Sequence, residues 1–351
     1  MEKLKLYGLF KQATEGPANP NPPDKGRNRL MRPIYSTIFK SRIFSLSDAD
    51  PIAYSKWQAW SEVGNLERKQ AMDEYAKFVD KLSEKTAPSE DASTSTCPGF
   101  EVKVENGVRT IAFSRPDKFN AINGDMYMGM PKLFEEADAD DSTRVIVLTG
   151  TGKYYSSGND LSSFKLDKPL SEMAPLWSAT LLQFVKGFID FKKPVIAAVN
   201  GPAIGIACTT LGLCDIVIAS DAATFNTPFM KLAQTPEGCA SFTFPKIFGI
   251  ALANEILMDE RKLSAEEALE FGLVSTLVPA AEFESVVKKR AAAMAAYPPE
   301  TVVKTKKLIR DHHRAQLHAA NETECALLTE RWSSEECMSA MMNFFTSRGN
   351  K

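Results

Sequence analysis

Paired cysteines are missing from this chain of 351 residues. Its six cysteines, Cys97, Cys208, Cys214, Cys239, Cys325 and Cys337, lie far apart and none stands in a Cys-x-x-Cys pair. That spacing argues against a disulfide framework and predicts free thiols in a reducing compartment. An excess of either charge is also missing: 42 Lys and Arg face 44 Asp and Glu, for a net charge of −2. No global basic field therefore draws the chain to nucleic acid. No apolar run is long enough to cross a bilayer. The opening MEKLKLYGLF lacks the apolar region and cleavage site of a signal peptide, and the closing TSRGNK lacks a Ser-Lys-Leu type address. Histidine is scarce. His312, His313 and His318 cluster without a Cys, Asp or Glu at ligand spacing. They are read as a solvated helix face, and neither a metal nor a cofactor is expected.

What remains is an ordinary globular composition, 44% apolar and 25% charged, with room for two or more domains. Residues 1–85 carry apolar residues at helical spacing in YSKWQAWSEVG and LERKQAMDEYAKFVDKLSEK. Residues 86–98, TAPSEDASTSTCP, form a polar linker of small residues. From residue 99 the pattern alternates. FEVKVE-NG-VRTIAFS reads as a hairpin on an Asn-Gly turn. A helix over 124–137, the strand TRVIVLTG and an amphipathic helix over 174–191 follow. This alternation predicts an α/β core over 99–290, then a helical region over 291–351. Periodicity does not separate a spiral of ββα units from a doubly wound sheet.

The chain is organised around residues 200–240. The strand PVIAAVN ends in the turn Gly201-Pro202-Ala203-Ile204-Gly205. An apolar helix over 206–213 and a buried strand over 215–219 follow. Glu237 then stands between Pro236 and Gly238 among apolar neighbours, Phe229, Met230, Leu232 and Phe242. An acid in such surroundings is a proton carrier in waiting, because burial raises its pKa. A second glycine turn, Tyr154 to Leu161, follows the strand VIVLTG. Two turns with free backbone N–H groups suggest a two-donor oxyanion hole.

YYSSGNDL, NGPAIGI and the Asp215 strand resemble the crotonase (enoyl-CoA hydratase/isomerase) superfamily, and TPEGCAS narrows the resemblance to delta(3),delta(2)-enoyl-CoA isomerases. The resemblance runs from about residue 99 to the C-terminus. It implies a spiral of repeated ββα units with C-terminal helices that build a trimer, often doubled to a hexamer. It implies that the backbone N–H groups of Asn159 and Ile206, each following a motif glycine, polarise a CoA thioester. Glu237 would move a proton from C2 to C4 of a 3-enoyl-CoA, with the thioester as substrate and no cofactor. Ser156, Ser157, Gly158, Asn159, Asp160 and Gly205 are expected to line the substrate wall, with Asp160 bracing its turn. Asn120, Ala121 and Ile122 match the superfamily loop near the CoA. The two hydratase glutamate positions hold Thr209 and Phe229, which argues against hydration. A non-catalytic CoA-binding scaffold and a dienoyl-CoA isomerase are the alternatives. The retained Glu237 opposes the first, and the lack of further acids at these positions opposes the second.

LYGLFKQATEG, SKWQAW and the AMDEY segment resemble the acyl-CoA-binding protein family. The residues matching that family's CoA contacts are Tyr7, Lys11, Lys56 and Tyr75. The chain opens inside the family's second helix, and residues 19–47 form an extra Pro-rich and basic segment. Expressed alone, this half is therefore expected to fold poorly and to bind acyl-CoA weakly or not at all. The absent Ser-Lys-Leu address points to mitochondria, given a longer native N-terminus, with the peroxisome as the alternative.

Overall fold

The computed structural model describes residues 97–161 and 170–349 and, ahead of them, residues 9, 11–12, 17–18, 59–64, 66–67, 69–71, 73–74 and 77. Two compact units divide the chain, Met1–Ser89 and Glu90–Lys351. In the first, most described positions are helical. Leu9, Ala59 and Ala71 are buried, and the Gln12 side chain donates to the Leu66 carbonyl at 2.7 Å. Lys11 lies with its ammonium 5.6 Å from the Trp60 ring centroid. Tyr7, Lys56, Tyr75 and the segment 19–47 fall outside the described residues.

The second unit opens on the expected hairpin, β1 (Phe100–Glu105) and β2 (Val108–Phe113). Asn106 and Gly107 have φ of 50° and 83°, the left-handed pair that an Asn-Gly turn supplies at low cost. Helix α1 (Gly124–Ala139) follows, capped by the Asn123 side chain accepting from the Met126 N–H at 3.0 Å. Then come β3 (Val145–Gly150), α2 (Leu170–Asp190), β4 (Val195–Val199), β5 (Ala203–Ile204), α3 (Ile206–Thr209), β6 (Ile216–Ser220) and β7 (Thr224–Asn226). The chain closes with α4 (Ala240–Met258), β8 (Leu263–Ser264), α5 (Ala265–Glu270), β9 (Thr276–Val278), α6 (Phe283–Ala296), α7 (Pro299–Trp332) and α8 (Glu335–Gly349).

The main sheet has the order β1-β2-β3-β4-β6-β9 and is parallel from β2 onward. Its order follows the chain without reversal, so it has no switch point of the doubly wound kind. A second layer decides the fold. Ile122 bridges Asn159, Ser156 bridges Ala203, β5 pairs with β7, and β7 pairs with β8. β2, β3, β4 and β6 thus each feed a short second-layer segment before the next helix, which is the ββα spiral. Both faces of the main sheet are covered. Ile146 and Leu148 face the main core, whereas Val145 and Val147 face a smaller one roofed by Phe283, Val287 and Ala291 of α6. That two-sided burial explains why VIVL and VIAAV read as unbroken apolar runs.

One expectation is corrected here. The predicted helix over 206–213 is one α-turn and then a 3-10 turn, Thr210–Leu213. The Thr209 and Thr210 hydroxyls donate back to the Ile206 carbonyl at 3.2 and 2.7 Å, tightening the element. His312 and His313 are exposed on α7 as expected, whereas the half-buried His318 places Nε2 2.9 Å from Asp190 Oδ1, to which the Arg314 guanidinium also donates at 2.9 Å. Among the described residues no cluster of metal ligands forms.

Candidate active site

Both glycine turns sit in the second layer, and the fold presses them together. A Cβ on Gly158 would stand 2.6 Å from the Ile204 carbonyl oxygen, and one on Gly201 would stand 2.0 Å from that of Lys153. Asn200 ties the strand ends, accepting from the Gly150 N–H at 3.0 Å and donating to the Gly152 carbonyl at 3.0 Å. Gly158 has φ 82°, and Gly205, at the start of α3, has φ 59° and ψ −128°. These are conformations that side chains resist. Their neighbours' N–H groups are placed accordingly. The Gly205 N–H donates to the Asn226 carbonyl and the Asp160 N–H to that of Ile122, both at 2.9 Å. Among the described residues, the N–H groups of Asn159 and Ile206 meet no acceptor.

Around the turns, the expected wall divides into liners and braces. Ser157, Gly158, Asn159, Asp160, Gly205 and Ala121 line an open cavity of about 830 Å³. Ile122, Asn159 and Asp160 line an adjoining apolar cavity of about 180 Å³. Ser156 and Asn120, expected as liners, are fully buried instead. The Ser156 hydroxyl donates to the Asn120 carbonyl at 2.7 Å and accepts from the Gly158 N–H at 3.2 Å. The Asn120 amide donates to the carbonyls of Thr151 and Tyr154, both at 2.8 Å. They hold the first turn in shape. Asp160 pairs with Arg115 at 2.8 Å, the brace expected of it.

Glu237 lines both cavities. It is 2% exposed, and its Oε2 has no hydrogen-bond partner among the described residues. Burial pushes its pKa up to about 8, and the charge of Glu324 adds to the rise. The backbone turns sharply after it: Gly238 has φ 72° and Cys239 φ 62°. A Cβ on Gly238 would stand 2.4 Å from Thr209 Oγ1, so the turn carrying the acid rests on the element that carries the Ile206 N–H. Of the apolar neighbours expected from sequence, Phe229 and Leu232 line the open cavity, Met230 is exposed, and Phe242 lines a separate groove. The walls that do enclose Glu237 come from elsewhere: Tyr127 of α1, Trp177 and Leu181 of α2, and Trp332 of α7. The two tryptophans stand edge to face at 6.2 Å.

The Tyr127 hydroxyl donates to Asn159 Oδ1. This gives the Asn159 side chain a bracing role while its backbone faces the cavity. Asn159→Ala and Tyr127→Phe are each expected to lower kcat less than tenfold, since one side-chain bond is worth about 1 kcal/mol. The double variant should lose little more than either alone. Additive, hundredfold losses in steady-state kinetics would mean that the Asn159 side chain touches the reacting group.

The enoyl-CoA hydratase/isomerase family description matches residues 103–350, and that of acyl CoA binding protein matches residues 1–79. The human protein named Enoyl-CoA delta isomerase 2 is 43% identical over 99% of this chain and 84% of its own. The mouse protein named Enoyl-CoA delta isomerase 3, peroxisomal, is 40% identical over 82% of this chain and 93% of its own. A crystal structure of an enoyl-CoA hydratase/isomerase from Pseudoalteromonas atlantica T6c superposes with a TM-score of 0.65. It is 31% identical and covers 71% of this chain and 97% of that one.

Proposed function

The chain belongs to the enoyl-CoA hydratase/isomerase family, and on that premise we propose that it is an enoyl-CoA isomerase that moves the double bond of a 3-enoyl-CoA to the 2-trans position. The observation that carries this reading is one buried carboxylate, Glu237, whose Oε2 has no hydrogen-bond partner among the described residues and which faces two cavities that meet at Asn159. The thioester oxygen is placed against the N–H groups of Asn159 and Ile206. Glu237, as carboxylate, takes a proton from C2. The C2–H electron pair passes into the thioester, giving a dienolate whose oxygen the two N–H groups hold. The protonated Glu237 then delivers the same proton to C4, and the electrons return as a C2–C3 double bond. No atom is gained or lost. One base serves both carbons because they belong to one conjugated anion.

Hydration would need an acid that water can reach, and the two hydratase positions do not provide one. Thr209 is fully buried with its hydroxyl bonded to the Ile206 carbonyl, and Phe229 is 3% exposed. Glu324, a further acid near Glu237, lines neither cavity and has its oxygens engaged by backbone N–H groups, and Asp160, which lines both, is paired with Arg115, so neither is offered as a second proton carrier of the dienoyl-isomerase type.

The apolar cavity beside Trp177 and Trp332 suits the acyl tail, and the open cavity, with Lys118 and Lys231 among its liners, suits the CoA moiety. For the first unit, weak acyl-CoA binding at most is proposed, through Tyr7, Lys11, Lys56 and Tyr75, on family resemblance. A trimer or hexamer is proposed on the same basis, and the exposed Ile250, Leu308 and Ile309 are compatible with burial between copies. The proposed compartment is the mitochondrion. A mouse relative is named peroxisomal, and imaging of a fluorescent fusion of the native transcript decides between the two.

The test is incubation of the purified chain with a 3-enoyl-CoA while the absorbance of the conjugated 2-enoyl thioester is followed. Steady formation of that product is the expected result. CoA-ester binding without product would overturn the assignment in favour of a scaffold.

A further inference from the structure

Glu324 lies on α7, 85 positions beyond Cys239 in the chain, yet it holds the turn that carries Glu237. Its Oε2 accepts from the Cys239 N–H at 2.7 Å. Its Oε1 accepts from the Ser241 N–H at 2.8 Å and from the Ser241 hydroxyl at 2.5 Å. Burial raises the pKa of Glu324, and these three donors oppose that rise because they favour the carboxylate, which only accepts. Glu324 is 5% exposed, and among the described residues no Lys, Arg or His forms an ion pair with it. Helix α7 is itself fastened to α2. The Ser178 hydroxyl donates to the Cys325 carbonyl at 2.7 Å, and the Asn321 amide donates to that of Leu182 at 3.1 Å.

A neutral amide would offer one acceptor oxygen where Glu324 uses two, yet an uncompensated buried charge costs stability. The turn it holds is itself strained, with two successive left-handed residues of which one, Cys239, is not glycine. Strain and buried charge concentrate at the one place where the base must be aimed.

We propose that Glu324 is a positioning residue for Glu237: it clamps the 237–241 turn through three hydrogen bonds and sets a second buried negative charge beside the base. This rests on Glu237 being the base. Its physical effect has a definite sign. A neighbouring anion disfavours ionisation, so Glu324 helps to hold the Glu237 pKa above the ordinary carboxylate range. The other titratable groups around the pair are Tyr127 on α1, Cys239 at the turn and Cys325 on α7. Burial raises the pKa of each and keeps it neutral near pH 7. Arg310 acts on Cys239 from α7. Asp160, in the cavity wall, is paired with Arg115 at 2.8 Å.

The experiment is the pH profile of kcat/KM for the full chain, its Glu324→Gln and Glu324→Asp variants, and Glu237→Gln, with a thermal melt of each. Glu324→Gln is expected to move the acid limb to lower pH by on the order of one unit, because the base ionises more readily without its neighbour's charge. Its kcat should also fall severalfold as the turn loosens. Glu324→Asp is expected to keep the limb near its wild-type position. A folded Glu324→Gln with an unmoved limb would overturn the proposal and leave Glu324 a helix-end brace only. Should that variant fail to fold, Ser241→Ala replaces it: losing one donor makes Glu324 easier to protonate, so the limb should move the same way by less. An unmoved limb there counts equally against the proposal. The base assignment fails separately, through residual activity of Glu237→Gln.

Discussion

Glu237→Gln is expected to lower kcat by at least 10²-fold while CoA-ester affinity stays close to wild type, since a proton carrier contributes typically 10²–10⁴-fold. The amide keeps the shape of a side chain that is 2% exposed, so loss of packing cannot account for the loss of rate. Stopped-flow or steady-state kinetics beside calorimetric titration of a CoA ester checks both halves. More than about a tenth of the wild-type kcat would remove Glu237 from the mechanism. The same variant carries a stability signature of opposite sign. Burial raises the folded-state pKa from the ordinary 4.5 to about 8. Between these values the folded chain holds a proton that the unfolded chain has released, so stability falls as pH rises through this window and levels off above it. The glutamine has no charge to bury. Glu237→Gln should therefore melt several degrees higher than wild type above pH 8, and at nearly the same temperature near the ordinary carboxylate pKa. An inactive variant that is also more stable is what a site that stores strain for chemistry produces.

Gly158→Ala is expected to be severely damaging although it leaves every polar side chain in place. A Cβ there meets the Ile204 carbonyl oxygen at 2.6 Å, and that oxygen belongs to backbone rather than to a side chain that can swing away. The φ of 82° adds a conformational cost of about 1–3 kcal/mol. Relief requires the first turn to move off the second, which separates the Asn159 and Ile206 N–H groups. Loss of one such donor costs about 10²–10³ in kcat. Gly205→Ala makes the informative contrast: φ is 59° but nothing lies within 4 Å of the added carbon. It should lose stability through backbone strain while keeping more activity than Gly158→Ala. Equal activity in the two variants, with Gly158→Ala within a few fold of wild type, would mean that the turns do not act as a pair.

Local chemistry and spacing in the chain determine much of this protein. Asn106-Gly107 sets the opening hairpin because both residues accept left-handed φ. The runs VIVL and VIAAV set buried parallel strands, and the two glycine turns and Glu237 are recognisable because their special backbone and buried charge demand particular residue types. Tertiary structure alone decided the rest, and the reason is distance along the chain. The second layer is built from pieces as short as Ala203–Ile204, too short to carry a period, so its existence depends on the bridges Ile122–Asn159 and Ser156–Ala203. Ser156 and Asn120 look like wall residues in sequence and are braces in the fold, because each has backbone partners that only the folded turns present. Tyr127, Trp177, Trp332 and Glu324 sit on helices whose patterns speak only of burial. The packing of α7 on α2, fastened by Ser178 and Cys325 across 147 positions, brings a charge and two aromatic rings to the one acid that the sequence had already singled out.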